Sequence, residues 1–333
     1  MSRYSAWLYA ARRKSRAANQ QNMKCVSVVI CTYKRPGTLD QALQSVFDQT
    51  LVPSTTIEII VVDNCPQEAT RAVVERYQRM ARFPIRYVAE AREGVSFARN
   101  TGIESARGDI IAYLDDDEIA APDWLEGMLQ VYRLYPDAAA VTGKVEPIWE
   151  IQPPAWFDDG FRLSVSIGGW GEEIKRLCYP HGWIWVGNSS FRRTVFTEIG
   201  MFDTRLGRRG KRQSAGEETD LQCRIERAGG HIYYTPKALI QHHVPKERLT
   251  LDYYSRIWYG AGRAHYSLDQ RYQGYVCVLK KAMELVIKSP VRLIALVVAR
   301  YTRDTRTVWA RSGLLKFAQG YVGEILRARW SKE

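Results

Sequence analysis

The chain has 333 residues, 46% of them hydrophobic, which is the composition of an ordinary globular protein able to bury a large core. Lysine and arginine number 48 against 36 acidic residues, and the net charge of +12, gathered at the two ends and across Arg205–Arg212, points to anionic partners. Six cysteines, Cys25, Cys31, Cys65, Cys178, Cys223 and Cys277, form no C-x-x-C pair or regular spacing that suggests a zinc site or disulfide framework, and reduced thiols in a cytosolic compartment are expected.

The basic segment Met1–Lys24 has only a short apolar patch around Trp7 and Leu8, too short for a secretory signal, so export is not expected. From residue 24 to 115, short β-branched runs alternate with helical patterns. The runs are Val26–Cys31, Ile57–Val62, Ile85–Val88 and Ile110–Leu114; the helical patterns are Leu39–Asp48, Ala69–Met80 and Ser96–Ser105. Such alternation predicts a mostly parallel sheet with right-handed crossovers. The loops at the strand ends then bring Thr32 and Tyr33, Asp63 and Asn64, and Asp115–Asp117 to one edge, where an α/β fold binds its ligands.

Three consecutive aspartates, Asp115, Asp116 and Asp117, follow the last run. Repulsion between neighbouring carboxylates is relieved by protonation or a counter-charge, and hard oxygen ligands suit Mg²⁺ or Mn²⁺. A solvated acidic turn before a helix beginning near Pro122 accounts for the same residues. The chain has no G-x-G-x-x-G after its first run and no G-x-x-x-x-G-K-[ST], which removes the main support for a dinucleotide oxidoreductase or a P-loop NTPase. Phosphates would instead be neutralised by a metal on the aspartates, helped by Arg99.

Beyond residue 120 aromatics accumulate. Trp183 and Trp185 alternate, so that both face one side of a strand-like segment just before Gly187-Asn188-Ser189. An aromatic ledge beside a polar turn suits a sugar ring, and core packing is the alternative. Gly216-Glu217-Glu218-Thr219-Asp220-Leu221 opens a helical pattern closed by Gly229-Gly230. Acids at such a start complement the helix dipole, which suffices for Asp220 but leaves Glu217 and Glu218, after a basic loop at Arg208–Arg212, without an account. Ala238–Gln241 leads into His242 and His243, candidate ligands beside an acidic cluster. No tract approaches the roughly 20 apolar residues of a membrane span: even Leu293–Ala299 is bracketed by Arg292 and Arg300. Tyr275–Ile287 is amphipathic, and with Arg303, Arg306, Arg311 and Lys316 behind it, it suits either an anionic membrane surface or packing on its own domain or a second subunit.

Taken in order, Val28–Pro36, Ile60–Asn64, Ala98-Arg99-Asn100, Leu114–Asp117 and Gly216–Leu221 resemble the family 2 inverting glycosyltransferases of the GT-A fold, over roughly residues 24 to 248. Pro122-Asp123-Trp124-Leu125 extends the likeness to bacterial enzymes that build lipid-linked exopolysaccharide or O-antigen repeat units. The resemblance implies an α/β, Rossmann-like, mostly parallel central sheet flanked by helices. It implies a basic arm over 1–23, a nucleotide-sugar-binding half over 24–118, an acceptor-binding and catalytic half over 119–248, and a helical, basic extension over 249–333. Thr32, Tyr33, Asp63, Arg99, Asp115 and Asp116 would bind the nucleotide sugar, Asp117 and His242 (or His243) a divalent Mn²⁺ or Mg²⁺, and Trp183, Trp185 and Asn188 the acceptor. The family pair Glu-Asp is here Glu217-Glu218, so Glu218, with Glu217 as alternative, would be the general base.

The reaction so implied moves a hexose, with inversion, from a nucleoside-diphosphate sugar, commonly a UDP-sugar, to a glycan or lipid-linked oligosaccharide. The enzyme would be cytoplasmic, and peripheral on the inner face of the membrane if its basic C-terminal part lies on that surface rather than packing on protein. A metal-dependent nucleotide-sugar hydrolase would use the same acids and release free sugar. A basic nucleic-acid-binding protein is the other class, but the cations crowd the termini and one loop and no nucleic-acid motif occurs, so nucleic acid is not expected.

Overall fold

The computed structural model describes residues 25–51, 55–210 and 215–330. The expected basic arm at 1–23 and residues 211–214 of the basic loop lie outside the described residues.

The β-branched runs form β1 (Cys25–Thr32), β2 (Thr56–Asp63), β3 (Ile85–Ala89) and β4 (Ile110–Asp115). Between them lie α1 (Pro36–Phe47), α2 (Glu68–Met80) and α3 (Val95–Ser105). Pro36 opens α1, where the amide hydrogen it lacks would have had no helical partner. β1 pairs in parallel with β2 on one side and β4 on the other, and β2 pairs in parallel with β3. This half is the parallel sheet that the alternating pattern predicts, in the Rossmann-like arrangement that the resemblance implies.

The second half adds β5 (Glu118–Ala120), α4 (Trp124–Leu134), β6 (Ala138–Trp149), β7 (Lys175–Leu177) and β8 (Ser189–Arg192). After these come α5 (Arg193–Ile199), α6 (Glu217–Arg227) and β9 (His231–Val244). Here the pairing reverses: β8 runs antiparallel to β4 and β6, and β5 and β7 run antiparallel to β9. The sheet order is β3-β2-β1-β4-β8-β6-β9-β5, with β7 also on β9. Val29, Ile60, Ile111, Tyr113 and Phe191 from the sheet share one buried cluster with Leu221 and Ile225 of α6.

The chain divides into two compact units that interleave in sequence. One takes the residues up to Glu146, Gly169–Phe202 and Leu221–His242, and holds most of the sheet. The other takes Pro147–Gly168, Asp203–Asp220 and the chain from His243 onward. The second unit contains α7 (Leu251–Tyr272), α8 (Tyr275–Tyr301) and α9 (Thr305–Trp330). The amphipathic pattern expected over Tyr275–Ile287 is therefore the first half of a longer helix. α7 and α9 touch backbone to backbone: a Cβ on Gly262 would lie 2.1 Å from the Phe317 carbonyl oxygen, so only glycine permits this approach. Among the described residues no helix is long and apolar enough to cross a membrane.

Candidate active site

Sheet register assembles the rim. Thr32 pairs with Asp63, and Cys31 pairs with Asp115, so the carboxyl ends of three adjacent strands stand side by side. Thr32 is buried, and its hydroxyl donates to Asp116 Oδ2 at 2.7 Å, with the Tyr33 backbone N–H adding a 3.3 Å bond to the same oxygen. Asp63 is also buried and accepts from the Cys65 and Gln67 amides and from the Tyr87 hydroxyl, at 3.0–3.1 Å. Tyr33 is exposed, its hydroxyl donating to Glu93 at 2.9 Å. Arg99, buried on α3, holds its guanidinium 3.9 Å from Asp115 and 5.5 Å from the centre of the Phe202 ring.

The acidic run turns directly into β5, whose antiparallel pairing sets Glu118 opposite His242. Asp117, one residue earlier, thereby comes within 3.7 Å of His242 Nε2. Neighbouring residues of a strand face opposite ways, so His242 is the histidine brought to the aspartates and His243 turns to the other face. Arg35 ties the run together, its Nη1 lying 2.8 Å from Asp117 Oδ2 and 3.2 Å from Asp116 Oδ1. Burial, with the Asp117 charge adding to it and Arg35 opposing, pushes the Asp116 carboxyl up to about 7. Burial, then Asp115 and Asp117, holds Glu118 well above the usual carboxylate range, and its Oε2 accepts the Asp115 amide at 2.9 Å. Among the described residues no three His, Cys, Asp or Glu side chains converge into a ready-made metal cage.

Glu217 and Glu218 begin α6, with Glu217 buried and Glu218 half-buried. Asp220, one turn in, is wholly buried and accepts from Arg271 and, at 2.7 Å, from the Tyr272 hydroxyl. Arg271 also reaches Asp203 at 2.7 Å, so two carboxylates and one guanidinium anchor the start of α6 onto α7.

Trp183 and Trp185 lie on an extended stretch and remain half-buried. Both meet Trp170, with ring centres 4.4 Å and 5.9 Å away. Asn188 departs from the sequence expectation. It is wholly buried, and its amide is taken up by the framework: it accepts from the Trp124 indole at 2.7 Å and donates to the carbonyls of Lys144 and Ala238 at 2.8 and 3.0 Å. Both of its N–H donors are thus taken by the framework, and the side chain is sealed from solvent, which argues against contact with an acceptor sugar.

A sheet rim with buried threonine and aspartate, an acidic run and an adjoining histidine is the setting in which relatives become informative. Residues 27–200 match the model of glycosyl transferase family 2. The chain belongs to this family. It is 32% identical over 242 residues to the glucosyl-dolichyl phosphate glucuronosyltransferase of Haloferax volcanii, covering 71% of this chain and 75% of that one. It is 31% identical over 242 residues to the succinoglycan biosynthesis protein ExoM of Rhizobium meliloti, covering 72% and 74%. In fold it is similar to the mannosyltransferase PcManGT from Pyrobaculum calidifontis, solved in complex with GDP-Man and Mn²⁺, at a TM-score of 0.62 and 18% identity over 98% of this chain and 95% of that one. The protein is thus a glycosyltransferase with the GT-A fold and a helical C-terminal region.

Three residues of the glycosyltransferase's rim carry no role in the sequence reading. Arg35 sits about 80 positions from the aspartates it bridges, and no local periodicity links them. Glu118 reads as one more acid after an acidic run; only its pairing on β9 reveals that it is buried. Gly187 is needed for close approach, since a Cβ there would lie 2.7 Å from the Asp115 carboxyl and 2.8 Å from Glu118 Oε1. A glycine just before a polar turn was the available signal.

Proposed function

We propose that this glycosyltransferase is metal-dependent and inverting, and that it moves a hexose from a nucleoside-diphosphate sugar, UDP foremost, to a hydroxyl of a growing lipid-linked bacterial polysaccharide. The observation that carries the proposal is the contact of Asp117 with His242 at the end of the rim that Thr32, Asp63 and Asp115 share. Residues 24–118 serve the donor and 119–248 the acceptor and the chemistry.

A carboxylate and an imidazole side by side fit Mn²⁺ or Mg²⁺, which often take only one or two protein ligands and complete their shell with water and substrate phosphates. When bound there, the ion supplies charge that stabilises a departing diphosphate. Thr32, Tyr33 and Asp63 hold the nucleoside, while Arg99 and Asp115 orient the diphosphate and ribose. Trp183 and Trp185 offer ring faces to the acceptor. Glu218, with Glu217 as alternative, takes the proton from the acceptor hydroxyl as its oxygen attacks the anomeric carbon. Attack opposite the leaving diphosphate inverts the configuration, and base assistance of this kind is worth about 10²- to 10⁴-fold.

The test is a donor panel with Mn²⁺, scoring nucleoside diphosphate release with and without a membrane-lipid acceptor extract, together with donor calorimetry on two variants. Asp117→Ala is expected to lose both metal-dependent donor binding and transfer. Glu218→Gln is expected to lose transfer and keep donor binding; if its donor binding is lost as well, Glu218 is not the base. Free sugar released equally without acceptor would establish a hydrolase instead.

A further inference from the structure

Helix α8 shows two faces along its 27 residues. Val278, Leu285 and Leu296 are buried, and two of them, Val278 and Leu285, share a core with Tyr266 of α7 and Tyr321 of α9. On another side Val276, Met283, Ile287, Val291, Ile294 and Tyr301 recur at helical spacing and are between 58% and 91% exposed. Single exposed apolar residues are common, but a continuous stripe about 40 Å long is not. The helix carries five basic residues, Lys280, Lys281, Lys288, Arg292 and Arg300, against the single acid Glu284; Lys281 is paired with Asp269 and Lys288 with Glu284.

From this pattern we infer that α8 docks in the plane of an anionic phospholipid bilayer, sinking the Val276–Tyr301 stripe among the acyl chains and setting its lysines and arginines against the headgroup phosphates. The charges choose the occupant. A second copy of the chain would bring the same basic excess against this one, and like charges at an interface repel, whereas anionic headgroups complement them. A membrane-spanning role is excluded for α8 by the same cations, since the helix is not apolar enough to cross. An in-plane helix with an apolar stripe and a basic excess is the physical form of interfacial binding. The inference deepens the proposed function, because an acceptor held by its lipid is met at this surface, but the docking itself needs neither donor nor acceptor.

The experiment is cosedimentation of the full chain with vesicles of phosphatidylcholine alone and of phosphatidylcholine with phosphatidylglycerol. Binding to the anionic vesicles is expected, falling by about tenfold or more in raised salt or on neutral vesicles. Ile287→Glu and Ile294→Glu, both at exposed positions, are expected to keep the far-UV circular dichroism and melting temperature of the parent and to lose vesicle binding roughly tenfold each. Ile294→Trp is expected to show a blue-shifted emission on anionic vesicles. Absence of binding to either vesicle overturns the inference. So does a concentration-dependent dimer, seen by sedimentation velocity, that Ile294→Glu dissolves. Because the readout uses no sugar nucleotide, vesicle binding without any nucleoside diphosphate release would count against the proposed reaction alone, and the converse against the docking alone.

Discussion

Arg35 spans Asp116 and Asp117, its Nη1 at 3.2 Å and 2.8 Å from their carboxylates. Adjacent acids at a sheet rim need a counter-charge, and the chain carries one of its own. Because the Arg35 side chain is about half exposed, at 47%, solvent screens the pair, and its contribution is on the order of 1 kcal/mol. Arg35→Ala is expected to lower the melting temperature in metal-free buffer by a few degrees. Added Mn²⁺ should then raise the melting temperature of the variant more than that of the parent, because the ion supplies the charge that the arginine did. Equal Mn²⁺-induced shifts in differential scanning fluorimetry would show that Arg35 and the cation do not share these carboxylates.

Gly187 offers a steric probe of the same rim. A methyl group there would crowd both Asp115 and Glu118, at 2.7 and 2.8 Å, and of these Glu118 is buried and bonded to the Asp115 amide. Gly187→Ala is expected to cost about 1–3 kcal/mol of stability, as over-packing does. It should also weaken nucleotide-sugar binding by about tenfold, or 1.4 kcal/mol. Calorimetric titration of donor into folded variant checks this, and unchanged affinity would place Asp115 away from the nucleotide.

Much of the first half was legible because its signals are local. Runs such as Val26–Cys31 and Ile57–Val62 repeat the same buried-strand composition and became β1 and β2 within one or two residues. The parallel pairing then fixed which loop residues meet. The second half hid its topology, since β5, β7 and β8 have only three or four residues each and are stabilised by partners far along the chain. Asn188 shows the same limit at a single residue. Its Gly-Asn-Ser turn looks like a polar surface feature, but the Trp124 indole and two distant carbonyls draw it inside. Likewise, nothing near Asp220 in sequence announces Arg271, 51 positions away.

That last pair yields a stability prediction. Asp220 is wholly buried and accepts from Arg271 and Tyr272, while Arg271 keeps a second partner in Asp203. Asp220→Asn preserves the shape of the side chain and keeps an oxygen to accept from both Arg271 and the Tyr272 hydroxyl, but it removes the negative charge that Arg271 faces. The expected loss is about 2 kcal/mol, between that of a charged hydrogen bond and that of a broken buried ion pair. Urea unfolding of Asp220→Asn and of the Asp220→Asn/Arg271→Met double variant separates the terms. If the pair matters, the double variant is less destabilised than the sum of the singles.

His265 on α7 supplies a pH dependence with a definite sign. Its ring packs 5.3 Å from that of Phe317, and burial first, then the positive charge of Lys281, pulls the imidazole down to about 4, with Asp269 opposing. In the unfolded chain the same group takes a proton near pH 6.5. Between those two values the unfolded state therefore binds more protons than the folded state, and stability falls as the pH drops from about 6.5 toward 4. The full effect is up to roughly 3 kcal/mol. His265→Gln removes the titration and keeps a polar side chain of similar size. Urea midpoints measured at about pH 7.5 and about pH 4.5 should show a smaller acid loss in the variant than in the parent. Parallel losses in the two proteins would mean that His265 is protonated as readily in the folded bundle as in water.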